Sequence, residues 1–351
     1  MSISKVPYGQ VDSKDVYLFT LTNASGMSVK AISLGCHIMQ INVPDKDGKF
    51  ADVVLSFDSL EAAENQCSCF GVVVGRVANR IARSRFELDG KVYELYANEG
   101  PNHLHGGKIG FHKKVWDAQA LEDKNAVVFR YVSPDGEENY PGSLSAQVTY
   151  TLTDNNELIM DYEAVSDADT IVNLTNHSYF NLAGHDAGPI VDHYLKLNCD
   201  TFTACDSELI PTGVIADVAG TPLDFRSFER VGDRIDDNND QLVWAKGYDH
   251  NFVINNQSGM TLAASLWDKK TGRLMEVLTD KPAIQFYSGN FLHGADVGKG
   301  GCAYQKRDGL CLETQHYPNA INTPNFPSPV LRAEDKYKYA TIYRFGTMTE
   351  G

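Results

Sequence analysis

Between residues 147 and 164 the chain alternates. Val148, Tyr150 and Leu152 share one face of an extended run, Asp154-Asn155-Asn156 turns it, and Leu158, Met160, Tyr162 and Ala164 alternate again. Side chains repeat every second residue on a β-strand, so two such runs joined by a polar turn predict an antiparallel hairpin with one buried face. A second hairpin is predicted where Phe86-Glu87-Leu88 and Val92-Tyr93-Glu94-Leu95 flank Asp89-Gly90, because glycine tolerates the positive φ of a tight turn. Residues 52–57, 126–132, 261–267, 274–278, 283–287 and 337–345 read as further strands. Only 59–65 and 225–235 suggest helices, and the polar run 233–241 reads as surface loop. Many short strands with few helices imply an all-β chain, a large antiparallel β-sandwich with function on strand edges and loops. The 351 residues contain no Pro- or Ser-rich linker, charge block or repeat, so 1–351 is expected to form a single domain.

Composition narrows the chemistry. Acidic residues number 46 against 31 basic ones, a formal charge of −15. That sign is wrong for neutralising phosphates, so nucleic acid is not an expected partner. No run approaches the ~18 apolar residues of a membrane span, and the N-terminal MSISKVPYGQ lacks the apolar core of a signal peptide. The seven cysteines include no C-x-x-C pair and read as thiols of a reducing compartment. A cytoplasmic protein without membrane contact is therefore expected. Dinucleotide, P-loop, zincin and nucleophile-elbow motifs are absent, and the Gly-rich stretch 294–301 fits none of them. His103-Leu104-His105 could set two imidazoles on one face of a strand, but no carboxylate follows within several residues to complete a metal site. No metal and no cofactor are expected.

Four segments concentrate polar residues beside apolar strand residues: 75–81, 98–107, 173–184 and 313–318. Together they supply histidines, an arginine and a glutamate, enough for a pocket that hydrogen-bonds a polyol on several sides. Arg76, two turns of the alternation away from Arg80, reads as a structural ion-pair partner, and His103 as structural. GRVANRI at 75–81, NHLHGG at 102–107, NLTNHSYFNLAG at 173–184, GYDHNF at 247–252 and ETQHYPNA at 313–320 resemble the successive signatures of the aldose 1-epimerase, or galactose mutarotase, family, in that family's order. The resemblance covers about residues 8–345 and implies a mutarotase-type β-sandwich acting on free aldohexoses such as galactose and glucose.

Such a reaction needs one base to deprotonate the anomeric hydroxyl and one acid to protonate the departing ring oxygen, and no cofactor. The resemblance implies Glu313 as the base and His177 as the acid. A carboxylate near pKa 4.3 and an imidazole near 6.5 would suit those roles without large shifts. It further implies substrate binding by Asn79, Arg80, His105, Ser178, Tyr179, Asp249 and Gln285. Trp116, Phe180 and Tyr179 are candidates for an apolar wall, although aromatics in a sandwich more often belong to the core. Two positions depart from the family pattern, Asn319 within Pro318-Asn319-Ala320 and Tyr248 before Asp249; neither removes a proton-transfer group. The alternative reading is a non-catalytic carbohydrate-binding protein with the same fold.

Overall fold

The computed structural model describes residues 1–256 and 258–349. Three antiparallel sheets hold most of the strand residues. Ser2–Val11, Lys14–Thr22, Ser28–Ile32, His37–Pro44 and Phe50–Asp52 form a five-stranded meander in chain order. A nine-stranded sheet runs Asp117–Leu121, Ala126–Ser133, Leu144–Leu152, Glu157–Ser166, Tyr337–Thr347, Arg273–Thr279, Thr261–Trp267, Tyr194–Leu197 and Glu229–Arg230 in spatial order. A six-stranded sheet runs Tyr179–Phe180, Leu310–Gln315, Ala283–Tyr287, Asp249–Val253, Thr201–Cys205 and Pro211–Asp217. Among the described residues no helix is long and apolar enough to cross a membrane.

Both hairpins form. Val148 pairs with Tyr162 and Tyr150 with Met160, and all four side chains are buried. In the other hairpin Asp89 and Gly90 adopt φ of 51° and 77°, the left-handed pair that lets a two-residue turn follow the twist of its strands. The nine- and six-stranded sheets pack face to face. Phe252, Ile284, Phe286 and Leu312 from one join Met160, Tyr162, Val277 and Tyr343 from the other in a single buried cluster. Phe180 meets Tyr343 edge to face at 5.0 Å. Because the period is two, residues between these core positions point to the opposite side of the six-stranded sheet. Asn251 pairs with Gln285, and Gln285 with Glu313, so a polar row lies across three strands.

Some expectations are corrected. Residues 225–235 do not form a helix: Glu229–Arg230 pairs with Tyr194–Leu197 as the last strand of its sheet instead, followed by a single 3-10 turn. Pairing to an existing sheet satisfies the backbone groups that a short isolated helix would leave at its ends. The polar run 233–241 ends by starting a real helix, Asp240–Ala245, which the Asn239 side chain caps by accepting from the Gln241 amide at 3.1 Å. The predicted helix at 59–65 is present as Leu60–Asn65, capped by Ser59. Of 52–57 only the first residue lies in a sheet strand; Val54 makes one isolated bridge, to Phe180. Trp116 and Phe180 are core residues.

Arg76 is structural, but its partners are not a carboxylate. Its guanidinium is buried and donates to Ser133 Oγ at 2.9 Å and to the carbonyls of Pro141, Ser133 and Pro134 at 2.9, 3.0 and 2.9 Å. One side chain thus ties the loop after Ser133 to the segment leading into the polar row. Arg76→Met would strand those buried acceptors, and a loss of about 3 kcal/mol is expected in urea denaturation; a loss below about 1 kcal/mol would show that the carbonyls find other donors.

Candidate active site

Glu313 stands at one end of the polar row, on Leu310–Gln315, directly across from Gln285. His177 lies just before Tyr179–Phe180, the strand that pairs with Leu310–Gln315 through Tyr179 and Cys311. Glu313 on its strand and His177 in the turn into the neighbouring strand are thereby brought side by side. His177 Nε2 is 3.6 Å from Glu313 Oε1, and the two side chains are only 6% and 3% exposed. The other ring nitrogen, Nδ1, faces Cys311 Sγ at 3.6 Å. Glu313 Oε2 is buried without a hydrogen-bond partner. A buried carboxylate oxygen left open in this way points to a ligand atom.

Burial acts on the pair from opposite sides. It pushes the Glu313 carboxyl well above the usual carboxylate range, helped by Asp249 and opposed by Arg80. It pulls His177 from 6.5 to about 4. The expectation of an ordinary carboxylate beside an ordinary imidazole is thereby corrected: desolvation favours the neutral form of each.

Arg80 and Asn79 enter from a short strand that pairs with His103–Leu104. The Arg80 guanidinium is clamped by Glu99, with Nε to Oε2 at 2.6 Å and Nη2 to Oε1 at 2.7 Å, and reaches Asp249 at 3.5 Å. Burial alone would lower its pKa, but the charges of Asp249 and Glu99 raise it instead. Asn79 and His105 both adopt left-handed backbone, φ 64° and 52°, and the Asn79 amide donates to His105 Nδ1 at 3.1 Å. That bond leaves His105 Nε2 to carry the proton. Desolvation and the neighbouring His177 hold its pKa well below 6.5. The ring stands perpendicular to His177, centroids 5.1 Å apart. Gly106 permits the approach, since a Cβ there would stand 1.8 Å from the Gly75 carbonyl oxygen.

These groups share a cavity of about 310 Å³, lined by Asn79, Arg80, His105, His177, Tyr179, Asp249 and Glu313. Gln285 is not on its surface but supports it, donating to Asp249 Oδ1 at 2.6 Å and accepting from Gln315 at 3.0 Å. Ser178 is not on the surface either; alternation turns it away between His177 and Tyr179, and its hydroxyl is buried without a partner. His103 also stays outside, held by the Tyr96 carbonyl at 2.7 Å and the Tyr140 hydroxyl at 2.6 Å. Sequence reasoning missed Glu99, Cys69, Tyr287, Phe291 and His293, which complete the wall. Tyr287 was within reach, two residues from Gln285 on the same face; the Glu99 clamp needed the fold. His177, Cys311 and Glu313 offer donor atoms within 4.8 Å of one another. The thiol and carboxylate, however, face opposite ring nitrogens, so a single ion could not use the imidazole with both.

A family model described as aldose 1-epimerase matches residues 17–344. The chain is 45% identical over 347 residues to the galactose mutarotase of Mus musculus, covering 98% of this chain and 99% of that protein. It is 36% identical over 346 residues to the aldose 1-epimerase of Escherichia coli K12, covering 98% and 99%. The crystal structure of a GalM/aldose epimerase homologue from C. elegans superimposes with a TM-score of 0.88 at 30% identity, covering 99% of this chain and 100% of that one.

Buried histidines make the fold acid-sensitive. His112, His177, His193, His250 and His316 are each pulled by burial from 6.5 to about 4. Below pH 6.5 the unfolded chain binds protons that the folded one refuses, so stability rises with pH in this window and is lost as pH falls from about 6.5 to about 4, by up to ~1.4 kcal/mol per pH unit for each group. Glu313, shifted upward, works in the opposite sense, its contribution fading as pH rises through its folded value. Urea midpoints should drop between pH 7 and pH 5, with more than one proton taken up on unfolding; a flat midpoint would contradict the neutral, buried state of these rings.

Proposed function

The chain belongs to the aldose 1-epimerase family, and from that premise we propose that Glu313 and His177 are the proton-transfer pair with which it interconverts the α and β anomers of a free aldohexose, such as galactose or glucose. The observation that carries this reading is the meeting of the two groups. Two side chains far apart in sequence face one cavity at 3.6 Å, with a carboxylate oxygen left unpartnered. The cavity, about 310 Å³, lies at the small end of the ~300–1,000 Å³ range of ligand sites, suited to one monosaccharide.

In the cyclic sugar the anomeric O1–H proton passes to the Glu313 carboxylate as the C1–O5 bond breaks and O5 takes a proton from His177 Nε2. The open-chain aldehyde turns about C1–C2. Reclosure on the other face of C1 returns the O5 proton to His177, while Glu313 gives its proton back to O1. Throughout, the pair changes only which member holds its single proton. Its neutral form, carboxylic acid beside neutral imidazole, is the form that burial favours and the one that faces the open-chain aldehyde. Ring opening from the ion-paired form therefore discharges both buried groups. Each well-placed transfer is worth ~10²–10⁴ in rate.

His105 supports the same step. Its Nε2–H, fixed by the Asn79 amide, serves as a neutral donor beside the ring oxygen. Arg80, Asn79 and Asp249 address the remaining hydroxyls, with Gln285 holding Asp249 in place. Tyr179 lies 5.1 Å from the His177 ring and offers an apolar edge to the sugar. Ser178 keeps a supporting role behind the cavity. The family match, nearly end to end, favours one domain over 1–351, and seven free thiols favour the reducing cytoplasm.

The test follows the optical rotation of freshly dissolved α-D-galactose. The protein should speed decay to the same final value, and Glu313→Gln and His177→Asn should each lose at least ~10² of that acceleration. Either variant retaining full activity would remove its residue from the pair.

A further inference from the structure

One buried cation has no part in the chemistry above. Lys281 lies in the crossover between Arg273–Thr279 of the nine-stranded sheet and Ala283–Tyr287 of the six-stranded one, and its side chain is fully out of water. Its Nζ donates to the carbonyl of Leu174 and, at 3.3 Å, to that of Thr314, and stands 4.2 Å over the Tyr162 ring. Leu174 is three residues before His177; Thr314 directly follows Glu313. The contacts therefore join the two backbones that carry the proton-transfer pair.

They do so where the sheet ladder gives out. Leu310–Gln315 pairs with Tyr179–Phe180 only through Cys311 and Leu310. Beyond that point the 173–177 segment turns to pair with Val73–Val74 instead. At the level of Glu313 the two backbones are linked by side chains: Thr175 Oγ1 donates to the Thr314 carbonyl at 2.8 Å, and Lys281 joins it on the same oxygen. Burial pulls the Lys281 pKa down to about 7. An ammonium has three N–H donors and a neutral amine two, so both carbonyls are served in either state. Its effect on Glu313 is mechanical, because the charges that shift that carboxyl are those of Asp249 and Arg80.

We propose that Lys281 is a positioning residue for epimerisation, fixing the separation of the Glu313 and His177 backbones through the Thr314 and Leu174 carbonyls. The proposal rests on the reading of that pair as the acid and base. A misplacement of about 1 Å in such a pair can lower the rate ~10²-fold. Arg80 and Asp249, which address the sugar's other hydroxyls, stand on different strands and would keep their places.

Lys281→Met, close in length but without a donor, should lower kcat for α-D-galactose about 10- to 100-fold while leaving KM within about threefold. Thr175→Val should lower kcat in the same direction by less. The double variant should lose less than the product of the two, because both residues act on the Thr314 carbonyl. Lys299→Met is the control. That lysine is also buried, holds the Met39 and Val54 carbonyls at 3.0 and 2.7 Å and pairs with Asp52 at 2.5 Å, remote from the proton-transfer pair, so its loss should lower stability without the kcat defect. A folded Lys281→Met protein with kcat within twofold of the parent would overturn the proposal, as would a matching kcat loss in Lys299→Met. If Lys281→Met fails to fold, Thr175→Val decides, and an unchanged kcat overturns it. Glu313→Gln or His177→Asn retaining activity would instead remove the premise, so the two failures are separable.

Discussion

The register of three strands governs this molecule. Asp249–Val253, Ala283–Tyr287 and Leu310–Gln315 must sort alternate residues to opposite sides: Phe252, Ile284, Phe286 and Leu312 into the core, Asn251, Gln285 and Glu313 into the polar row. A slip of one residue in any of them would drive a carboxylate or amides into the sandwich and leave aromatic rings in water. The same alternation that closes the core therefore assembles the site. Little else is needed to bring Glu313, Gln285 and Asp249 together, since pairing across the ladder does so directly.

The site then exploits the interior of the fold. Glu313 and His177 are held where water cannot stabilise either ion, so enclosure favours the neutral form of each. Polar scaffolding around them is shared out: Gln315 bridges Gln285 and Asn251 at 3.0 and 2.9 Å, and Gln285 in turn steadies Asp249. Such a network restrains its members before any sugar arrives, which is the condition for efficient transfer.

Legibility in the sequence followed the range of the interactions involved. Strands 261–267 and 283–287 match the structure at both ends, because alternation and flanking turns are local signals. The expected helix at 225–235 is absent because Tyr194–Leu197 claims Glu229–Arg230 as a partner, and the loop at 233–241 gives way to a helix only at Asp240, behind the Asn239 cap. The N-terminal meander is largely illegible in the sequence, because its first strand is mostly exposed on both faces and its second mixes buried with half-buried residues. At the site, motif resemblance brought forward residues that do line one cavity. What it could not convey was which members stand a step behind it, as Gln285 and Ser178 do, or that Glu99 closes on Arg80 across a loop. Nor could it reveal the pKa displacements of Glu313 and His177, since these arise from enclosure and not from neighbours in the chain.

The Arg80 clamp carries one last implication. A single guanidinium faces two carboxylates, those of Glu99 at 2.6 Å and Asp249 at 3.5 Å, within one small chamber. Its positive charge is thus already answered before a guest enters. An anionic sugar, phosphorylated or oxidised to a uronic acid, would meet a surplus of like charge and forfeit its hydration with no counter-ion to receive it. By its own charge, then, the chamber is set against anionic guests.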